Sequence, residues 1–146
     1  MYGRRVSRKR FISRGLTLGV GAASVSALAG CGGGGAAGSR SEVPRGEAIA
    51  AEADVEPGSA VPYTVADTGR PEVLVRLSDG KFAAYSAVCT HQGCTVAYNQ
   101  DSGNLACPCH GGVYDPANGA EVVSGLPPRP LPEIPSERRD GRIFRA

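Results

Sequence analysis

The chain has 146 residues, room for one small domain with tails, and is 41% hydrophobic and 5% aromatic with no tryptophan. Its 21 glycines and 11 prolines favour turns and short strands over long helices. The formal charge of +2 is uneven, because six of the 16 Lys/Arg (Arg4, Arg5, Arg8, Lys9, Arg10 and Arg14) precede Gly15; the remaining 10 face 14 Asp/Glu, a balance of about −4 that excludes a nucleic-acid partner.

Residues 1–31 read as an export signal. A basic stretch, "SRKRFISRG", precedes "LTLGVGAASVSALAG", a weakly apolar run of small residues. "SRKRF" resembles a twin-arginine (Tat) signal, with Lys9 where the second arginine usually stands. The run ends in Leu28-Ala29-Gly30-Cys31, which resembles a bacterial lipobox. That resemblance implies acylation of Cys31 and a lipoprotein tethered to the outer face of the cytoplasmic membrane. The competing readings are an uncleaved signal anchor and a chance free thiol. The run is short for a membrane span and rich in glycine and serine.

Residues 32–57 read as a flexible linker. "GGGGAAGSRSE" and "GEAIAAEADVEPG" carry too little apolar bulk for a core. Glu47 to Asp54 suits at most a transient helix. A tether of about 25 residues has a root-mean-square reach of roughly 25–30 Å.

From residue 58 to 146 the pattern is that of short β-strands. Candidates are Val61–Val65, Glu72–Leu77 and Lys81–Ser86, the last two joined at Asp79-Gly80, a strong hairpin signal. Thr95–Tyr98, Asn104–Cys107, Gly112–Asp115 and Ala120–Val123 follow, and Asp140-Gly141 turns the chain into "RIFR". Helical periodicity is absent. The expectation is an all-β domain, a small antiparallel sandwich, whose thin core benefits from staples.

Both histidines and four of the five cysteines fall in two loops between these strands, "CTHQGC" (Cys89–Cys94) and "CPCHGG" (Cys107–Gly112). Cys89-x-His91 is separated by fifteen residues from Cys107-x-x-His110. Structural zinc accepts these residue types but usually takes its cysteines as C-x2-C knuckles, which are missing. Two plain disulfides suit an exported protein but leave both histidines without a role. Two unrelated core histidines beside four thiols make a poor coincidence.

The two boxes resemble those of the Rieske 2Fe-2S family, in which two histidines replace two cysteines on one iron. The resemblance covers the folded part and is most specific at the boxes. It implies a Rieske-type fold with two cluster-binding loops and one 2Fe-2S cluster. In it Cys89 and Cys107 ligate one iron, His91 and His110 the other, and Cys94 and Cys109 form a disulfide between the loops. "SGLPPRPLP" (Ser124–Pro132) resembles the proline-rich loop that covers the cluster. Two thiolates and two neutral imidazoles leave the oxidised cluster neutral, where four thiolates would leave it at −2. Reduction is therefore easier, with potentials of roughly −150 to +300 mV against about −400 mV for plant-type clusters. Imidazole ligands also titrate, so electron uptake can carry protons.

Two further positions are candidate tuners of that potential. Tyr114 stands where the respiratory family has a tyrosine hydrogen-bonded to a ligand sulfur. Gly112 stands where high-potential relatives have a serine donating to a bridging sulfide, so a mid-range potential is expected, and serine at 112 is expected to raise it with the cluster intact. The outer cysteines and the export signal point to the extracytoplasmic branch of the family. The implied function is electron transfer, with a cytochrome-like redox protein as partner, quinol as candidate donor, and no substrate chemistry in the chain itself. The alternatives are a non-redox zinc-stabilised binding module and a redox subunit of a larger oxidoreductase such as an arsenite-oxidase-like complex.

Overall fold

The computed structural model describes residues 40–146; the export signal, the lipobox and Cys31 lie outside them. Eleven strands form three sheets: β1 (Ser41–Val43), β2 (Ala48–Ala51), β3 (Ser59–Val65), β4 (Arg70–Arg76), β5 (Phe82–Ser86), β6 (Ala97–Asn99), β7 (Asn104–Ala106), β8 (Val113–Asp115), β9 (Glu121–Ser124), β10 (Ser136–Arg139) and β11 (Arg142–Arg145). The orders are β1-β3-β4-β5, β10-β11-β2 and β6-β7-β8-β9. All pairings are antiparallel except β1 with β3. The helical pieces among the described residues are two short 3-10 turns, Glu52–Asp54 and Pro116–Asn118, and no helix there is long and apolar enough to cross a membrane.

The first sheet lies between two apolar clusters, and the period-2 alternation of its strands feeds both. Val73 and Val75 of β4 and Tyr85 of β5 join Ala87, Cys89, Val96, Leu105, Cys107, Tyr114 and Leu131 beside the third sheet. Leu74 and Ala84, one residue out of phase, join Val43, Ile49, Tyr63 and Ile143 beside the second. A sheet buried on both faces explains why "VLV" is continuously apolar instead of alternating. Both aspartate-glycine turns are where the sequence puts them. Gly80 has a φ of 86°, and Asp140 and Gly141 (φ 48° and 68°) make the two-residue connection that joins Arg139 to its partner Arg142.

The linker reading of 32–57 is corrected from Ser41 onward. β1 and β2 are strands of the first and second sheets, and Glu47 to Asp54 forms a strand and a single 3-10 turn instead of a transient helix. The stretch has low apolar density, but its three spaced aliphatics are all inserted: Val43, Ile49 and Val55 are 8%, 7% and 1% exposed. Backbone pairing to Tyr63–Val65 fixes Val43 and pairing of β2 with β11 fixes Ile49, while the Arg76 guanidinium donates to Val55 O at 2.9 Å.

Glu72 is the one buried charged residue among those described. Its carboxylate accepts the Tyr63 hydroxyl at 2.7 Å and Arg145 Nε at 3.1 Å. Burial, then the hydrogen bond and negative charge of Glu72, hold the Tyr63 phenol far above its usual range, so it stays a donor. Tyr63→Phe should destabilise the fold by about 1–2 kcal/mol, since it leaves a buried carboxylate short of one donor. Urea denaturation monitored by circular dichroism checks this, and an unchanged midpoint would refute it.

Candidate metal centre

The third sheet is too short to carry a site by itself; its connections do so. The first box lies between β5 and β6, the second between β7 and β8, and the proline-rich stretch runs from β9 toward β10. The two boxes fold alike despite different sequences. The Cys89 amide donates to Cys94 O at 2.8 Å and Gly93 N–H to Cys89 O at 2.9 Å. The Cys107 amide donates to Gly112 O at 2.7 Å and Gly111 N–H to Cys107 O at 3.1 Å. Each loop thus closes on its first cysteine, with a glycine of positive φ in its fifth position (Gly93 75°, Gly111 69°). Histidine is third in one loop and fourth in the other.

This shared closure buries the leading cysteines and leaves the histidines near solvent. Cys89 and Cys107 are 4% and 3% exposed and unbridged, whereas His91 is half-buried and His110 exposed. The imidazole ring centres are 5.0 Å apart, nearly perpendicular at 78°. Cys94 and Cys109 form a disulfide that joins the loops. The sulfurs of Cys94, Cys107 and Cys109 lie within 4.8 Å of one another, but with two of them bonded together only Cys107 has a thiol to offer. The donors left free are two thiols and two imidazoles, one of each per loop. That set fits a cluster with a sulfur-ligated and a nitrogen-ligated iron, and it lacks the paired knuckles of structural zinc.

Tyr114 is fully buried behind Cys89. Its hydroxyl lies 3.3 Å from Cys89 Sγ and accepts the Thr90 N–H at 3.1 Å. Burial pushes the Cys89 thiol up, but hydrogen bonds from Tyr114 and from the His91 amide outweigh it and leave the thiol below its usual range. Burial, then the hydrogen bond with Cys89, pushes the Cys107 thiol up. The two thiols are thus shifted in opposite directions, with Cys89 the readier of the pair to ionise.

Three residues that sequence reasoning did not single out hold the proline-rich loop. The Thr90 hydroxyl donates to Arg129 O at 2.7 Å. An ideal Cβ on Gly112 would meet Pro127 Cγ at 2.6 Å, and one on Gly125 would meet Gly112 Cα at 2.8 Å. A serine at 112 would therefore have to displace Pro127, whose ring fills that space. Thr90 carried a signal in its place beside two candidate ligands. Gly125 and Pro127 lie in the proline-rich stretch that the sequence flags, but their contact with Gly112 carried none, because a contact between chain segments thirteen or more residues apart leaves no local pattern.

The disulfide closes a loop with a sequence separation of 15. Replacing Cys94 and Cys109 together by serine should lower stability by about 3 kcal/mol on a loop-entropy estimate. Denaturant unfolding of the parent, with and without prior reduction, should reproduce that loss; equal midpoints in both would count against it.

The Rieske [2Fe-2S] domain family profile matches residues 47–135. A protein named as the Rieske subunit of a respiratory nitrate reductase, from Haloferax mediterranei, is 56% identical over 54 residues, 37% of this chain and 24% of that protein. The cytochrome b6-f complex iron-sulfur subunit of Chlorobaculum tepidum is 34% identical over 96 residues, 66% of this chain and 50% of that one. The chain thus matches between a quarter and a half of the length of these relatives. Among solved structures, the plasma membrane Rieske protein of Synechocystis PCC 6803 superposes with a TM-score of 0.60 at 25% identity, covering 68% of this chain and 98% of that one. A chain of a hyperthermophilic respiratory Complex III gives 0.53 at 28% identity, covering 65% and 71%. The paired loops, their bridge and the match over most of the described residues lead to one conclusion: this chain belongs to the Rieske family, whose domain carries a 2Fe-2S cluster.

Proposed function

We propose that the protein is an exported electron carrier in which Cys89 and Cys107 ligate one iron and His91 and His110 the other. The observation that carries this reading is the donor set itself: two buried unbridged thiols and two imidazoles 5.0 Å apart, on loops tied by a disulfide. When bound, the cluster supplies a one-electron couple. The protein's part is to bury the thiolate side, to aim the Tyr114 hydroxyl at Cys89, and to leave the imidazole side open. An electron entering or leaving would pass through the exposed histidine edge, where a partner can approach.

A redox subunit role is the form of this function that the relatives favour. The nitrate reductase and cytochrome b6-f proteins are both named as subunits of larger assemblies. By analogy the partner is a cytochrome-like or oxidoreductase protein, with quinol as candidate donor. The disulfide supports an oxidising compartment. Tethering to the outer face of the cytoplasmic membrane through an acylated Cys31 rests on the lipobox-like Leu28-Ala29-Gly30-Cys31.

Two measurements test these assignments. His91→Ala and His110→Ala should each abolish the rhombic electron paramagnetic resonance signal of the dithionite-reduced protein and lower bound iron and acid-labile sulfide. A normal signal in either variant overturns the ligand assignment, and stoichiometric zinc without sulfide in the parent overturns the cluster. Cys31→Ala should eliminate incorporation of labelled fatty acid in vivo; incorporation that survives the change refutes the lipoprotein reading.

A further inference from the structure

Gly112 differs from the other glycines of the cluster-binding loops. Gly93 and Gly111 adopt positive φ, and nothing lies within 4 Å of a Cβ built on either. Their backbone conformation accounts for glycine. Gly112 is outside the positive-φ set, so its φ does not by itself call for glycine. What forbids a side chain there is space. Its Cβ would lie 2.6 Å from Pro127 Cγ and 3.0 Å from Pro127 Cδ, closer than real Cβ contacts come, and 3.7 Å from Cys107 Cβ on the other side. A proline ring cannot swing aside as the end of a lysine would, because it is fused to its own backbone.

The backbone beneath the ring is equally confined. Gly125 has a φ of 93°, and a Cβ on it would meet Gly112 Cα at 2.8 Å, Gly111 O at 3.0 Å and Gly112 N at 3.1 Å. Gly112 is buried, and Pro127 is buried although its neighbours Leu126 and Pro128 are exposed. Ser124, next to Gly125, pairs with Val113, next to Gly112. The approach is therefore set by strand pairing and is not a loose loop contact.

We propose that Pro127 is a positioning residue matched to Gly112: its ring takes the volume in which a side chain at 112 would reach the cluster, and so excludes a hydroxyl donor from the Cys107 side. The glycine and the proline form one steric unit. A serine at 112 then acts as a wedge between the second box and the proline-rich loop. It becomes a donor only when the residue at 127 is small. The potential-tuning half of this inference rests on Cys107 being a cluster ligand; the steric half does not.

The test is a double-mutant cycle in the full chain with its cluster: G112S, P127A and G112S/P127A. G112S alone should lose its visible Rieske absorption under chelator about tenfold faster than the parent, the size of coupling usual for residues in direct contact, and should unfold at lower temperature. The double variant should recover both properties to near the P127A level. Its midpoint potential should lie above that of P127A, since the freed hydroxyl can then donate toward cluster sulfur. A G112S protein as stable and as slow to bleach as the parent overturns the proposal, and so does a double variant no better than G112S. Should G112S accumulate too little folded protein to measure, rescue of yield by P127A supports the same coupling and failure to rescue overturns it. Thermal midpoints report stability and not potential, so non-additive midpoints with equal potentials for P127A and G112S/P127A would retain the steric pair and remove its link to the redox tuning of the cluster. A fault in the ligand assignment would instead appear in the histidine variants.

Discussion

The Cys94–Cys109 bridge is the covalent tie between two loops that close in the same way but independently. Each box closes on itself, through the amide of its first cysteine and its positive-φ glycine, so its backbone hydrogen bonds are spent within the loop. Neither contributes a large apolar side chain to the core beyond its leading cysteine. A covalent bond at the outer end, with Cys109 exposed and Cys94 half-buried, therefore holds the open edges at a fixed separation. The other two edges of the site are held differently. The first box reaches the proline-rich loop through the Thr90 hydroxyl on Arg129 O, and the second through close packing of Gly112 against Pro127 and Gly125. Three loops are thus pinned pairwise by a covalent bond, a hydrogen bond and a steric contact. Only the first depends on the redox state of the surroundings; in a reducing compartment the edge between the boxes would lose its covalent bond and keep the contacts of Tyr114 with Cys89 and Thr90.

The division between buried thiols and more accessible imidazoles follows from where the loops leave the sheets. Cys89 and Cys107 begin their boxes and sit in the apolar cluster with Val73, Tyr85 and Leu105. The histidines come two and three residues later, at the turn, where His91 is half-buried and His110 exposed. In the proposed ligation the charged side of the centre would be screened by protein and the neutral side presented to a partner. Such an arrangement suits exchange of electrons at a surface, because it asks the partner to desolvate imidazole edges instead of thiolates.

The sequence made the site more legible than the frame around it. Apart from β10, the strands from Val61 onward could be read, as could both aspartate-glycine turns, and the disulfide pair could be inferred by resemblance, because turn chemistry and cysteine spacing are local signals. β1 and β2 could not. Their inclusion depends on three aliphatics, Val43, Ile49 and Val55, too widely spaced to raise the apolar density of the stretch, and on pairing with strands far along the chain. β10 was missed for a similar reason: "SERR" is polar and mostly exposed, and is a strand only because Asp140-Gly141 folds it onto β11. Gly112 was noticed for the hydroxyl it lacks. That the lack is imposed by Pro127 is a fact of three dimensions with no trace in local composition.

The single hydroxyl proton of Tyr114 has two possible destinations. The oxygen already accepts the Thr90 N–H at 3.1 Å, and Cys89 Sγ and Thr90 Oγ1 lie at 3.3 and 3.2 Å. Thr90 uses its own proton on Arg129 O at 2.7 Å, so toward Tyr114 its oxygen can only accept. The choice of acceptor then follows charge. A neutral thiol competes poorly with a hydroxyl oxygen, whereas a thiolate attracts the proton more strongly than either neutral group. Burial and the bond to Cys89 hold the Tyr114 phenol above its usual range, so the proton stays on the tyrosine as it turns from one acceptor to the other. The same contact that lowers the Cys89 thiol thus becomes strongest once that sulfur is ionised. A donor aimed at a ligand sulfur favours whichever redox state places more negative charge there, which is the reduced one. Thr90, by giving its proton to the proline-rich loop, leaves the tyrosine free to act in that way.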